Sequence, residues 1–268
     1  LPELNSGRST KPKGVGNVYL AIDAGGTNLR LGWFDSLDSN SPLSRESFRI
    51  SQDYLSNLNL IKNIVNQKGL KLKSAGISVP GSIKGEAMSS SFNLPGWVGR
   101  PIVKDLSLML GCPVYLDNDA LNQARAEADY TYDDKQDFLY VAWGTGLGVV
   151  LVKTANDTEY SYEYIDSSVR GKWEDKLGGN NLQKLYGKKP EYLSDSEWYE
   201  VIQDFILALE SLTELYGVRS IHIGGGIAIK QSNRISKCRL KERISITSLG
   251  EDIGLFGGLA LIKDSSHA

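Results

Sequence analysis

Apolar positions along the chain fall into two segments of the same design. The runs Val-Tyr-Leu-Ala-Ile at 18–22 and Phe-Leu-Tyr-Val-Ala at 138–142 are short and continuous, the pattern of strands buried on both faces. A glycine-rich turn follows each: Asp-Ala-Gly-Gly-Thr-Asn-Leu-Arg at 23–30 and Gly-Thr-Gly-Leu-Gly at 144–148. A further apolar run then begins, at 31–34 in the first segment and 149–152 in the second. Strand, Gly-Thr turn and strand predict a hairpin. Its recurrence predicts a duplicated domain.

The remaining pattern fills in the two halves. In the first, 45–50 alternates as a strand, and 54–68 carries Leu55, Leu58, Ile61, Ile64 and Val65 at helical spacing before Gly69. A strand at 74–79 ends in Pro80-Gly81, a short helix is expected near 104–110, and a strand at 113–116 runs into a helix at 120–128. In the second half, 154–193 reads as a polar, aromatic insertion. Ser194 and Glu197 form a capping-box pattern opening a long helix that Gly217 ends. Strands at 219–223 and 244–247 and a helix at 252–262 complete the chain. Each half has the strand and helix order of a layered α/β domain. The expected division is a flexible lead-in at 1–17, one domain at 18–119 completed by a helix at 252–264, and a second at 120–251, with the ligand site in the cleft between them.

Composition narrows the classes. The 268 residues carry 30 basic and 32 acidic side chains, a net charge of −2, and no long basic block, which argues against a nucleic-acid partner or a polybasic membrane contact. No apolar run approaches the roughly 20 residues that span a bilayer. The two cysteines, Cys112 and Cys238, lack metal-like spacing and read as idle thiols in a reducing cytoplasm. His222, inside the apolar run at 220–223, reads as a satisfied strand residue rather than a catalyst.

Three motifs carry candidate chemistry. The glycines of both turns let backbone N–H groups approach an anion, and the threonines add hydroxyl donors. Neither turn is a P-loop or a dinucleotide fingerprint, because a strand rather than a helix follows each; the bland reading is a pair of structural hairpins. Asp23 favours the functional one, since an acid at the end of a buried strand needs a cation or a donor, and a Mg²⁺-bound water beside a phosphate chain would supply it. Asp-Asn-Asp at 117–119 ends a strand and opens a helix, so Asn118 and Asp119 fit helix capping and also a general base acting on an alcohol. Gly224, Gly225 and Gly226 fit either a close-packing turn or a platform under a ring or phosphate.

The ordered series Asp-Ala-Gly-Gly-Thr at 23–27, Ser-Val-Pro-Gly at 78–81, Asn-Leu-Pro-Gly-Trp at 93–97, Asp-Asn-Asp-Ala at 117–120, Gly-Thr-Gly-Leu-Gly at 144–148, Ile-Gly-Gly-Gly at 223–226 and Ile-Gly-Leu-Phe-Gly at 253–257 resembles the ROK family of sugar kinases and repressors, within the actin and hexokinase superfamily. The resemblance spans nearly the whole chain. It implies an α/β fold of duplicated actin/ribonuclease H-like domains with a central cleft. It implies Asp119 as the catalytic base. The phosphate or nucleotide loops are then Asp23, Gly25, Gly26, Thr27 and Asn28, with Gly144, Thr145 and Gly146, and with Gly224 to Gly226. Sugar contacts fall on Gly81, Asn93, Asn118, Glu159, Tyr162 and Glu174.

The likeness also marks departures. The family's Glu-x-x-His pattern aligns with Glu159 and Tyr162, placing a bulkier phenol where the imidazole belongs. The zinc-binding cysteine cluster is missing, so no structural zinc is expected. The short insertion resembles the compact polyphosphate/ATP glucokinase branch. The implied activity is phosphoryl transfer from ATP or polyphosphate, with Mg²⁺ held through water by Asp23, to a hexose hydroxyl such as the 6-hydroxyl. The alternative is a sugar-binding regulator of the same family with impaired catalysis. A homodimer is compatible with the family.

Overall fold

A computed structural model describes residues 17–131, 136–155 and 159–267. The expected lead-in lies outside the described residues except for Asn17.

The first hairpin forms as the turn chemistry predicts, with β1 (Val18–Ala24) antiparallel to β2 (Asn28–Phe34) and β2 antiparallel to β3 (Ser44–Arg49). Helix α1 (Tyr54–Lys68) starts where the Asp53 carboxylate accepts the Ser56 N–H and stops at Gly69, whose φ of 61° is the left-handed cap that glycine takes readily. Next come β4 (Leu72–Val79), a small hairpin of β5 (Ser82–Lys84) and β6 (Ala87–Ser90), α2 (Ile102–Leu110), β7 (Val114–Asn118) and α3 (Asp119–Tyr130). Strands β4 and β7 join parallel to β1, giving the sheet order β3-β2-β1-β4-β7.

The second half repeats that plan. Strand β8 (Phe138–Trp143) pairs antiparallel with β9 (Leu147–Thr154), and β9 pairs antiparallel with β10 (Tyr160–Tyr164). Helices α4 (Ser167–Leu177), α5 (Gly179–Tyr186) and α6 (Asp195–Tyr216) follow, then β11 (Ser220–Gly224), α7 (Gly226–Lys230), α8 (Ser232–Ile235), β12 (Ile244–Ile246) and α9 (Ile253–His267). Strands β11 and β12 lie parallel to β8, so the order β10-β9-β8-β11-β12 matches the first sheet strand for strand. The fold is therefore α/β, with two domains of the duplicated actin-like type.

Helices α3 and α9 fill the space between the sheets, and small residues make the close approach possible. A Cβ on Gly76 of β4 would lie 2.1 Å from the Gly258 carbonyl oxygen, and one on Gly257 would lie 2.7 Å from the Asn122 backbone. Phe34, Tyr140, Phe138 and Phe256 pack with the alanines of α3 in this layer, and Phe34 meets Phe256 edge-on at 5.5 Å. On the outer faces, α1 and α2 cover the first sheet and α6 covers the second. Trp97 is fully buried against Tyr54 at 5.2 Å, a core position rather than a cleft position.

Segment 154–193, which reads as an insertion, instead supplies a fifth sheet strand and two helices. Of the α4 residues only Leu177 is fully buried, so no apolar stripe advertises the helix in the sequence.

Candidate active site

The two turns and the start of α3 meet at the cleft. Asp23, the penultimate residue of β1, stands opposite Arg30 in the hairpin register, and Arg30 Nη1 reaches its Oδ2 at 3.3 Å. The cation that a buried Asp23 requires is thus partly supplied from within the hairpin, which corrects the inference of Mg²⁺ from burial alone. Asp23 is only 6% exposed, and Gly254 at the start of α9 leaves it room: a Cβ there would fall 2.4 Å from Oδ2. Burial raises the Asp23 pKa, and the nearby Arg30 opposes that rise. The Gly25 N–H closes the turn on the Asn28 carbonyl at 2.9 Å, while Gly26 faces the Asn93 side chain.

Asp119 is the first residue of α3, and Asn118 caps the helix. Asn118 Oδ1 accepts the N–H groups of Ala120 and Leu121 at 2.9 and 3.1 Å, and its Nδ2 donates to the Gly81 carbonyl at 2.9 Å. Capping therefore occupies the amide oxygen, and one Nδ2 hydrogen is left over for a ligand. Asp119 is recessed but not fully enclosed. Burial first, and then the negative charge of Asp23, push its pKa up to about 7, against the Ala120 N–H and the Arg170 guanidinium. Two carboxylates thus face one another between the turns. Asp117 points elsewhere, paired with Arg125 at 2.7 Å.

The second turn is clasped by the junction of α4 and α5. Gly179 N–H donates to the Gly144 carbonyl at 2.9 Å and Asn180 N–H to the Thr145 carbonyl at 3.0 Å. Trp143 Nε1 donates to the Leu177 carbonyl at 2.7 Å. Glu174 lies against Gly146, where a Cβ would fall 2.8 Å from its Oε1. Arg170 pairs with Glu174, donates to the Ile165 and Leu147 carbonyls at 2.9 and 3.1 Å, and lies over the Tyr164 ring at 5.0 Å. The third turn packs on the second: Gly226 N is 3.8 Å from a Cβ built on Gly144, and a Cβ on Gly225, at φ 94°, would strike the Trp143 backbone.

The loop before α2 closes the cleft from the first domain. Gln52 Nε2 holds the Asn93 carbonyl at 2.9 Å, and Asn180 Nδ2 reaches across to Asn93 Oδ1 at 3.3 Å. Beside them the exposed Phe92 ring carries the Lys184 ammonium at 5.4 Å.

Two expected sugar contacts are not brought together with Asp119. Glu159 is exposed just before β10, and Tyr160 pairs with Thr154, at the far end of β9 from the glycine turn. At about 3.3 Å per residue, the strand carries Glu159 roughly 16 Å from Tyr164. Tyr162 packs under the Arg125 guanidinium at 5.2 Å, about 9 Å along α3 from Asp119 by helical rise. Tyr164, next on the same face of β10, is the tyrosine at the site, where a Cβ on Gly148 would touch its ring at 3.9 Å. Arg30, Arg170, Tyr164 and Asn180 escape motif reading. Arg170 and Glu174 do carry a local signal, an i,i+4 charge pair.

Among the described residues no cluster of three or more His, Cys, Asp or Glu side chains is placed to hold a metal. Asp23 and Asp119 nonetheless suit a hydrated Mg²⁺, which typically takes one or two carboxylates and completes its shell with water and substrate phosphate.

The duplicated sheets, each opening on a strand, a glycine turn and a strand, define an actin-like α/β fold. The chain belongs to the ROK family, whose model matches residues 19–156. It is 32% identical over 142 residues to the N-acetyl-D-glucosamine kinase of Escherichia coli O127:H6, a match covering 50% of this chain and 46% of that protein. The chain thus spans about half the length of the curated relatives it matches. Among solved structures it resembles the inorganic polyphosphate/ATP-glucomannokinase of Arthrobacter sp. strain KM, with a TM-score of 0.75 and 21% identity over 94% of this chain and 100% of that one. It also resembles a ROK family glucokinase from Streptomyces griseus in complex with glucose and AMPPNP, with a TM-score of 0.70 and 18% identity over 92% and 99% of the two chains. Among the described residues no helix is long and apolar enough to cross a membrane.

Proposed function

We propose that the chain is a sugar kinase in which Asp119 is the general base for phosphoryl transfer to a hexose hydroxyl. The observation that carries the reading is a recessed carboxylate at the first residue of α3, next to the strand that leaves the second glycine turn, whose pKa burial and the charge of Asp23 raise to about 7. A base with that pKa holds its proton acceptor ready near neutrality and still accepts a proton as the hydroxyl oxygen attacks. The Gly25 and Gly144 N–H groups close their own turns, so Gly26 and Thr27 on one side and Thr145 and Gly146 on the other are assigned to present backbone N–H groups and the Thr27 and Thr145 hydroxyls to the phosphates. Mg²⁺, bound near Asp23 through water, would neutralise charge on the transferring phosphoryl group.

Sugar positioning is assigned to the remaining Asn118 Nδ2 hydrogen, to Glu174 and to Asn93, with Gly81 fixing Asn118. Arg170 orients Glu174 and lends positive charge near Asp119. The cross-cleft contact of Asn93 with Asn180 gives the two domains a shared grip on the loop that would face the acceptor and exclude water. Gly224 to Gly226 extend the second turn and offer a flat backbone surface for an adenine or for further phosphates.

The relatives act, by their names, on N-acetylglucosamine, glucose and mannose, with ATP or polyphosphate as donor. A matrix of these sugars against ATP and polyphosphate, with sugar phosphate detected directly, tests the reading. Turnover with at least one pair is expected. Calorimetric sugar binding with no turnover for any pair would instead mark a sugar-binding regulator.

A further inference from the structure

The β2–β3 ladder places a free guanidinium beside the first glycine turn. Asn28 stands opposite Arg49, Arg30 opposite Ser47 and Gly32 opposite Arg45. Residues directly opposite share a face of the sheet, and so do residues two apart along a strand. Two contacts fix where that face looks. Arg30 reaches Asp23 at 3.3 Å, and Arg45 pairs at 2.6 Å with Asp252 in the short turn ahead of α9. The other face of β3 carries Phe48 into the core of the first domain and Glu46 to Lys68 of α1 at 2.8 Å. Arg49 therefore leaves β3 on the Asp23 side.

The strand end is tied to the turn itself. Ile50 N–H donates to the Thr27 carbonyl at 3.1 Å. Opposite Cα atoms in such a ladder lie about 4.5–5.5 Å apart, so the long side chain of Arg49 can reach an anion held at Gly26 and Thr27. Charge pairing singles the residue out. Arg30 is committed to Asp23, Arg45 to Asp252, Arg125 to Asp117 and Arg170 to Glu174. Arg49 is exposed and has no hydrogen bond or ion pair among the described residues. A phosphoryl donor would add several negative charges to a cleft that already holds Asp23 and Asp119, and a forked guanidinium answers phosphate geometry in a bidentate way.

We propose that Arg49 is a donor-binding residue whose guanidinium holds a phosphate of the donor that is not transferred. Asp119 directly follows β7, and β3 and β7 are the two edges of the sheet β3-β2-β1-β4-β7. Four strand spacings separate them, about 19 Å. A phosphate chain lying across the first turn thus turns its transferred group toward Asp119 and its remaining phosphates toward β3. An arginine can also serve to keep an edge strand from pairing with another chain. That role suits any position along β3, whereas phosphate binding requires the place beside the turn.

This inference rests on the kinase reading, and the test separates the two. Calorimetry measures binding of ATP and tripolyphosphate, each with Mg²⁺, and of glucose, mannose and N-acetylglucosamine to Asp119→Asn, with and without Arg49→Ala or Arg49→Lys. Whichever donor binds, Arg49→Ala should weaken it about tenfold or more, the scale of one charge-assisted hydrogen bond. Arg49→Lys should recover part of the loss, because the ammonium keeps the charge without the fork. Sugar affinity should stay within about twofold and the urea midpoint should hold, since the side chain is exposed. With Asp119 intact, Arg49→Ala should raise the KM for the donor and leave that for the sugar. Equal donor affinity with and without Arg49→Ala overturns the inference and leaves the kinase reading standing. So does an equal loss of donor and sugar affinity, the mark of a structural role. If neither donor binds and the parent phosphorylates no sugar, the kinase reading falls and the inference with it.

Discussion

Asp119→Asn removes one charge from the cleft and leaves the local geometry in place, because Asn118 supplies the helix cap and an amide oxygen can still accept the Ala120 N–H. Its consequences for turnover and for stability have opposite signs. Loss of a positioned base lowers turnover by roughly 10²–10⁴-fold. Stability moves the other way. The native carboxyl holds its proton up to about pH 7, whereas an unfolded aspartate releases it near 3.8. Between those values the folded state binds more protons, so the parent loses stability as pH rises, at about 1.4 kcal/mol per pH unit. The variant carries no such penalty. Its stability advantage should therefore grow by about 3 kcal/mol between pH 5 and pH 8.5, the upper limit for a site partly open to water. Urea melts of both proteins at the two pH values measure the stability difference, and direct detection of sugar phosphate measures turnover. If the advantage is the same at both pH values, the burial and the Asp23 repulsion assigned to Asp119 are wrong; if the variant turns over as fast as the parent, the base is another group.

Further predictions concern the same site and its scaffold. For the parent, kcat/KM should rise through a midpoint near pH 7 as Asp119 ionises; Asp23→Asn should move that midpoint to lower pH by removing a repelling charge, and Arg170→Ala to higher pH by removing an attracting one. A profile unmoved by both substitutions would mean that the titrating group is not Asp119. Tyr162→His should leave the KM for sugar within about twofold, because the side chain stacks on Arg125 away from Asp119; a change beyond tenfold in steady-state kinetics would return this residue to the site. Gly76→Ala should destabilise the fold by about 3 kcal/mol in denaturant melts, the upper part of the overpacking range, because the new methyl meets the Gly258 carbonyl rather than a movable side chain. A loss below about 0.5 kcal/mol would show that α9 can shift away from β4.

Much of the scaffold could be read from local pattern. The extent of α1 was legible because apolar residues at helical spacing run up to Gly69, although the face it buries includes Tyr54 and Asn57 and leaves Leu55 exposed, and α6 was legible because Ser194 with Glu197 and then Gly217 mark its ends. Strands β1, β2, β8 and β9 stood out as apolar runs around glycine turns. Helices α4 and α5 did not, since their first-order role is to clasp the second turn through backbone bonds from Gly179 and Asn180, which leave no periodic signature. Of the site, Asp23, Asn118 and Asp119 carried their own signal as polar residues at strand ends. Tyr162 and Glu159 were assigned by alignment to a pattern, and the pairing of Tyr160 with Thr154 sets them elsewhere. Register between strands is a long-range property, and shifting it by one residue moves every side chain to the other face.

Neighbours within a few residues encode the duplicated strand-turn-strand design, the two glycine turns and the acids at the strand ends, and the order of the motifs from 23 to 257 carries the family resemblance. Tertiary structure alone decided that Arg30 answers Asp23, that Tyr164 rather than Tyr162 stands by the turn, and that Arg170 and Asn180 join the cleft. It also decided the chemistry of Asp119. Its carboxyl is an ordinary acid in the chain, and only burial between two domains beside Asp23 raises its pKa to where it can act as a base.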